Sequence, residues 1–386
     1  MKRIVVAGSI AQRPGQGGHA WVFLQYALGL QRLGWDVLLL DRLEPEMCRD
    51  ASGAPCAFEQ SVNLAYWREI IRRSGLEGSA ALIHDGGRQV AGVPSFDAVL
   101  RHVRQSACLL NVMGFVDHPA VLEAAALRVF LDIDPGFTQM WHDLGQTRFL
   151  DGYDAYVTVG ANIGRAGCAI PDCGIPWIPW RQPALLDWWD APPRSAARRF
   201  TSVGAWRGPY APVEYRGQTY GLRVHEFRRF AALPRPSGPR FEVALDIEDS
   251  DAADLERLRA HGWTLADPRR VACSPWAYRS YVWGSDAELM IAKGIYVHTN
   301  SGWFSDRSIG YLAAGRPVLA QSTGIEAHYP TGDGLVTFRT LDEARAGVED
   351  ITARYDRHAR AARELAAEYF DSDRVLRELL QRLGAA

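Results

Sequence analysis

Residues 3 to 43 hold an apolar run, RIVVAG, a glycine-rich loop, a helical pattern, AWVFLQYALGLQRLG, and a second apolar run, DVLLLDRL. No other stretch narrows the possible folds so far. Two buried strands separated by one helix pair side by side in parallel through a right-handed crossover. Strand patterns recur at ALIHDG (81–86), ACLLNVMG (107–114), RVFLDIDPG (128–136) and AYVTVG (155–160). The first half is therefore an α/β unit on a largely parallel sheet.

Residues 171–200 break this texture with dense Pro and Trp, as a linker does. The alternation then restarts with FTSVGAW (200–206), a helix around 221–233, FEVALDIE (241–248) and a helix near 251–261. It continues with a strand GIYVHTN (294–300), a helix from about Ser305 to Ala314, the strand RPVLAQ (316–321) and helices over 341–369 and 373–384. The expected fold class is α/β, two Rossmann-like doubly wound domains facing across a cleft. A length of 386 residues suits two cores. The boundaries expected are 1–175, a linker over 176–199, 200–365, and a last helix over 366–386.

Charge and composition remove several classes. A net charge of -2 leaves no basic excess for nucleic acid or an anionic membrane. No leader precedes the first strand and no apolar stretch nears the ~18 residues of a membrane span, so a cytoplasmic chain is expected. The six cysteines are scattered without a CxxC pair, which favours free thiols over disulfides or zinc. Gly15, Gly17 and Gly18 do not fit Gly-x-Gly-x-x-Gly, and no Gly-Lys-Ser/Thr follows, so neither a dehydrogenase loop nor a Walker loop is present.

The most informative block is TNSGWFSDRSIGYLAAGRPVLAQSTG, 299–324. A Ser-Gly turn opens onto a helix with Ser305 at its N-cap, and free backbone N–H groups at a helix start suit an anion. Arg307 in that first turn opposes the helix dipole unless an anion sits there. Helix, Ala-Ala-Gly-Arg-Pro-Val, strand and Thr-Gly turn together resemble the donor-binding half of GT-B glycosyltransferases. HARAARELAAEYFDSDRVLRELL (358–380) resembles their broken last helix, which crosses back to the first domain.

The resemblance implies a sugar transferred from a nucleotide diphosphate (UDP, dTDP or GDP) to a small-molecule acceptor, as in bacterial natural-product glycosyltransferases, by a monomer or homodimer. It places the diphosphate on Ser301, Gly302, Ser305, Asp306 and Arg307, and the sugar near Gln321, Thr323 and Gly324. Arg207 would face the leaving group, and Trp206 and Trp303 would wall the donor. Gly17, Gly18 and Trp21 fall on the acceptor side. Gly302 and Gly310 stand where retaining members carry two glutamates, which points to inversion without a required metal.

A histidine suits proton removal at neutral pH. His19 lies where inverting members of this type place their base, and Asp134 or Asp132 of FLDIDPG would orient it. The same Asp-x-Asp also fits metal-dependent readings, a GT-A transferase or a phosphatase using Lys293 and Asp333. A sugar-nucleotide epimerase of the same architecture is the further alternative. Trp276 and Tyr278 are expected to flank the base of the nucleotide.

Overall fold

The computed structural model describes residues 2–194, 196 and 198–385. Its first domain is one eight-stranded sheet built from β1 (Arg3–Gly8), β2 (Asp36–Leu43), β3 (Ala80–His84), β4 (Gln89–Ala91), β5 (Ser106–Val112), β6 (Arg128–Asp132), β7 (Ala155–Thr158) and β8 (Ile178–Pro179). The spatial order is β4-β3-β2-β1-β5-β6-β7-β8. Every pair is parallel except β3 with β4, and Val5 stands opposite Leu38 in the register of β1 on β2. The short β8 carries this sheet a few residues into the stretch read as linker.

The second sheet comprises β9 (Arg199–Ala205), β12 (Arg240–Asp246), β13 (Thr264–Leu265), β14 (Ala287–Met290), β15 (Val318–Gln321) and β16 (Leu335–Phe338), in the order β13-β12-β9-β14-β15-β16 and all parallel. A hairpin of β10 (Val213–Tyr215) and β11 (Gln218–Tyr220) follows β9. It reaches the first domain, where the Tyr215 hydroxyl donates to Asp143 at 2.6 Å. The loop after β1 and the C-terminal ends of β9 and β12 line one cavity, and strand ends of this kind are where an open parallel sheet presents ligand sites.

One strand expectation fails. GIYVHTN forms a short helix, Gly294–His298, and the strand is AELM just before it. Glu288, fully buried in the middle of that strand, hides it, because a carboxylate breaks the apolar run by which a central parallel strand is recognised.

Two features lock the domains together. The last helix, Ser372–Arg382, packs on the first-domain helix Gly17–Arg32; a Cβ at Gly29 would stand 2.5 Å from a terminal methyl of Leu376, so glycine permits this approach without displacing that side chain. In the connecting segment Trp189 is buried, donates to Gln25 at 3.1 Å and lies 5.2 Å from the Trp21 ring. Trp180, Trp188 and Trp189 of the linker thus act as core, joining the apolar interiors of both domains.

Candidate active site in the interdomain cleft

A cavity of about 530 Å³ lies between the loop after β1 and the strand ends of the second sheet. Its first-domain wall is Pro14–Gln16, Gly18 and His19, and its second-domain wall includes Val203–Ala205, Asp246, Tyr278, Asp306 and Arg307. The Gly17–Arg32 helix starts three residues earlier than its apolar pattern suggests, so His19 sits in a first helical turn and not in a loop.

The front of the cleft is closed by direct backbone contact. The Gly17 N–H donates to the Ala272 carbonyl at 2.7 Å, and the Trp21 indole donates to the Pro275 carbonyl at 2.7 Å. A Cβ at Gly17 would lie 2.0 Å from the Ser274 carbonyl oxygen, and one at Gly18 would meet Tyr278 at 3.2 Å. Gly17, Gly18 and Trp21 therefore set how closely the two domains approach.

The floor is electrostatic. Arg307 and Arg223 reach the end of β9 from two helices, donating to the carbonyls of Val203 (2.8 Å) and Ala205 (3.3 Å). Gly204 lies between them, and a Cβ there would come within 1.9 Å of Arg223 and 3.6 Å of Arg307. Both arginines are buried, at 8% and 9% exposure, yet among the described residues Arg307 Nη2 and Arg223 Nε have no hydrogen-bond partner.

Their charges are not equally compensated. Arg307 Nε donates to buried Glu288 at 2.5 Å, and although burial opposes it, Glu288 holds the guanidinium above its usual range. Arg223 has no carboxylate partner; burial, then repulsion from Arg307, pulls it down to about 10. Two desolvated cations thus lie side by side with one direct carboxylate contact, Glu288 on Arg307, while Asp306 and Asp134 act on them from farther off.

Asp306 opens the Asp306–Ala313 helix beside them, behind the Ser305 N-cap, whose hydroxyl accepts from Arg307 N at 3.2 Å. Burial pushes the Asp306 carboxyl up, against the pull of Arg307. On the first-domain side His19 Nε2 lies 2.9 Å from Ser9 Oγ. Burial, then Arg13, pushes the imidazole down to about 4.

Several sequence-derived site residues lie elsewhere. Arg207 is bidentate to Asp251, at 2.6 Å for both bonds, and Trp206 is buried with its indole donating to Asp254 at 3.0 Å. Ser301, Gly302, Trp303, Thr323 and Gly324 form a strap at the rear of the cleft. There Asn162 N donates to Ser301 O (3.0 Å), Gly302 N to Thr323 O (2.7 Å), and Thr323 Oγ1 to Trp303 O (2.6 Å). Trp303 stacks on Tyr296 at 4.2 Å, and a Cβ at Gly324 would stand 2.1 Å from Asn300. Gln321 donates to buried Glu226 at 2.6 Å.

Neither aspartate of FLDIDPG contacts His19. Asp134 binds Lys293 at 2.6 Å and accepts a short bond from Tyr296. Asp132 is buried under Thr158 and Gln139, both donating at 2.7 Å, and burial raises it to about 6. Asp333 pairs with Arg357 at 2.6 Å. The carboxylates of the metal-dependent readings are thus sealed or scattered, and among the described residues no three His, Cys, Asp or Glu side chains converge.

Sequence reading passed over Arg223, Glu288, and Asp246 as a cleft residue. Arg223 sits after an inserted hairpin in a chain where all but Lys2 and Lys293 of its 43 basic residues are arginine, so no local pattern marks it. Of the two residues expected to flank the nucleotide base, Tyr278 lines the cavity, whereas Trp276 lies under Arg73, 3.7 Å from its guanidinium.

Comparison with known proteins fits this geometry. Residues 252–381, most of the second domain, match a family model described as glycosyl transferase-like. No curated protein matches the chain in sequence. Among solved structures, Anabaena HepE in complex with UDP-glucose aligns with a TM-score of 0.60 at 12% identity, covering 100% of both chains. An alpha-glucosyltransferase in complex with UDP aligns at 0.58 and 11% identity, also over 100% of both chains. Sucrose-phosphate synthase from Thermosynechococcus elongatus gives 0.55 at 11% identity and 100% of both. The fold is GT-B, with the C-terminal helix packed on the first domain.

Proposed function

We propose that the chain is a glycosyltransferase that moves a hexosyl group from a nucleotide-diphosphate sugar to a small-molecule acceptor of the bacterial natural-product kind. One observation carries this reading: the buried, partly unpartnered guanidinium of Arg307 lines the cleft cavity of a GT-B fold, and that of Arg223 lies beside it across Gly204 at the end of β9. Burying two cations with free donors is costly unless an anion arrives to take them. A diphosphate does so, and arginine matches its geometry. A cavity of about 530 Å³ is of the size that holds a small ligand or cofactor. UDP is the first nucleotide to test, since two of the similar solved structures are described with UDP or UDP-glucose.

The chemistry follows from the charges. Departure of the diphosphate builds negative charge beside Arg223 and Arg307, whose donors are already desolvated and oriented, so they stabilise it without reorganisation. The acceptor proton passes to a titratable side chain of the cleft, for which His19, Asp246 and Asp306 are available. Gly302 and Gly310 offer no carboxylate to a retaining path, and in our reading transfer proceeds by inversion without a required metal.

UDP, dTDP and GDP should be tested by thermal shift with and without EDTA. At least one is expected to stabilise the protein, by about 2.7 kcal/mol at a hundredfold excess over its Kd, with EDTA making no difference. No shift from any of them overturns the donor-site reading, and a shift abolished by EDTA overturns the metal-free part. With an α-linked donor, NMR of the product is expected to show a β-linkage; an α-linkage removes inversion while leaving transfer in place. Conversion of the sugar without any acceptor would favour an epimerase instead.

A further inference from the structure

We infer that His19 serves the cleft as a hydrogen-bond donor through Nδ1 to an oxygen of the donor's sugar-diphosphate, with Ser9 holding its Nε2, and that it is not the base. The inference rests on the proposed donor site for the identity of the ligand, but the state of the ring stands on its own geometry.

Ser9 is the first residue after β1 and is fully buried. Its hydroxyl is 2.9 Å from His19 Nε2, and among the described residues this is its one hydrogen-bond contact. A buried hydroxyl hydrogen needs an acceptor. If Nε2 carried a hydrogen and gave it to Ser9 Oγ, the serine hydrogen would be left with nowhere to go. The serine therefore donates, Nε2 receives, and the neutral imidazole keeps its hydrogen on Nδ1. Among the described residues the His19 ring makes no hydrogen bond through Nδ1, and His19 lines the cavity.

The surroundings keep the ring in that state. Phe23 meets it edge-on at 4.9 Å and Phe115 at 6.1 Å, so it cannot turn freely. Gly8 makes room for this, since a Cβ there would lie 2.5 Å from the Phe23 ring. A base of this type is oriented by a carboxylate, and both candidates, Asp132 and Asp134, are held by other partners. Burial, then Arg13, oppose a second proton on the ring and outweigh the backbone of Ser9, which favours it. A neutral imidazole with Nε2 occupied and Nδ1–H forward can donate to an oxygen but cannot take a proton through Nδ1. With His19 set aside, the carboxylates of Asp246 and Asp306, which line the same cavity, become the bases to examine.

Two measurements on the full-length protein decide the matter. The first is ¹⁵N-edited NMR of the imidazole without nucleotide, with the His19 signals identified by their loss in His19→Gln. The Nδ1–H tautomer is expected, giving way to a mixture in Ser9→Ala; an Nε2–H tautomer in the parent protein overturns the inference. The second compares His19→Gln with His19→Ala by UDP titration and by UDP release from UDP-glucose. The glutamine amide can still donate, so its loss is expected to stay within about fivefold, whereas alanine should lose more than about tenfold. Equal loss of UDP release in both variants with UDP affinity intact would make His19 the base, and no loss in either would remove it from the ligand. Should no nucleotide bind the parent protein, the functional reading fails while the NMR result still decides the tautomer.

Discussion

Arg307→Met is expected to destabilise the second domain by about 3–5 kcal/mol and to abolish donor binding. The first effect comes from Glu288. That carboxylate is fully buried, its Oε2 has no partner, and its Oε1 is 2.5 Å from the guanidinium that the substitution removes. An unpaired buried charge costs far more than the pair was worth. Urea unfolding of Arg307→Met, Glu288→Gln and the double variant separates the two effects. The double variant should recover most of the lost stability and none of the nucleotide affinity. A cost below about 1 kcal/mol for Arg307→Met would mean that Glu288 is not left charged and buried, and would overturn this account.

Arg223→Met is expected to do the reverse to stability and the same to binding. Arg223 is as buried as Arg307 but lacks a counter-ion, and its depression to about 10 reflects a strain on the order of 3 kcal/mol at neutral pH. Methionine is of similar length and carries no charge. The nucleotide-free protein should gain about 1–3 kcal/mol and melt higher, while UDP affinity falls about 10- to 100-fold. A stabilised protein that no longer responds to UDP would identify Arg223 as a cation kept for its ligand. A destabilised protein with undiminished UDP binding would show instead that Arg223 braces the end of β9 and that the anion lies elsewhere. The two neighbours thus give opposite signs in one assay and the same sign in another, a pattern that a general loosening of the cleft does not produce.

The block around Ser305–Arg307 was readable from sequence because capping, helix start and the following Ala-Ala-Gly turn are local events within a few residues. The helix began where expected and Arg307 does line the cavity. Ser301 and Gly302, only a few residues upstream, serve the rear strap instead, because their hydrogen bonds go to Asn162 and Thr323. Nothing within 299–304 announces a partner more than a hundred residues away. Arg207 misled for the same reason: it follows a strand end as expected, but Asp251 claims it.

The sequence by itself determined the α/β class and the two-domain order, whereas the helix that returns to the first domain was implied only by the resemblance. Strand and helix periodicity are properties of neighbouring residues, and parallel crossovers leave few other arrangements. The tertiary structure alone decided which side chains meet in the cleft. Gly204, Arg223, Glu288 and Arg307 come from four separate elements of the second domain, and His19 faces them from the first. Their shared site is set by how strand ends converge and by which charges find partners on burial, and periodicity carries neither quantity.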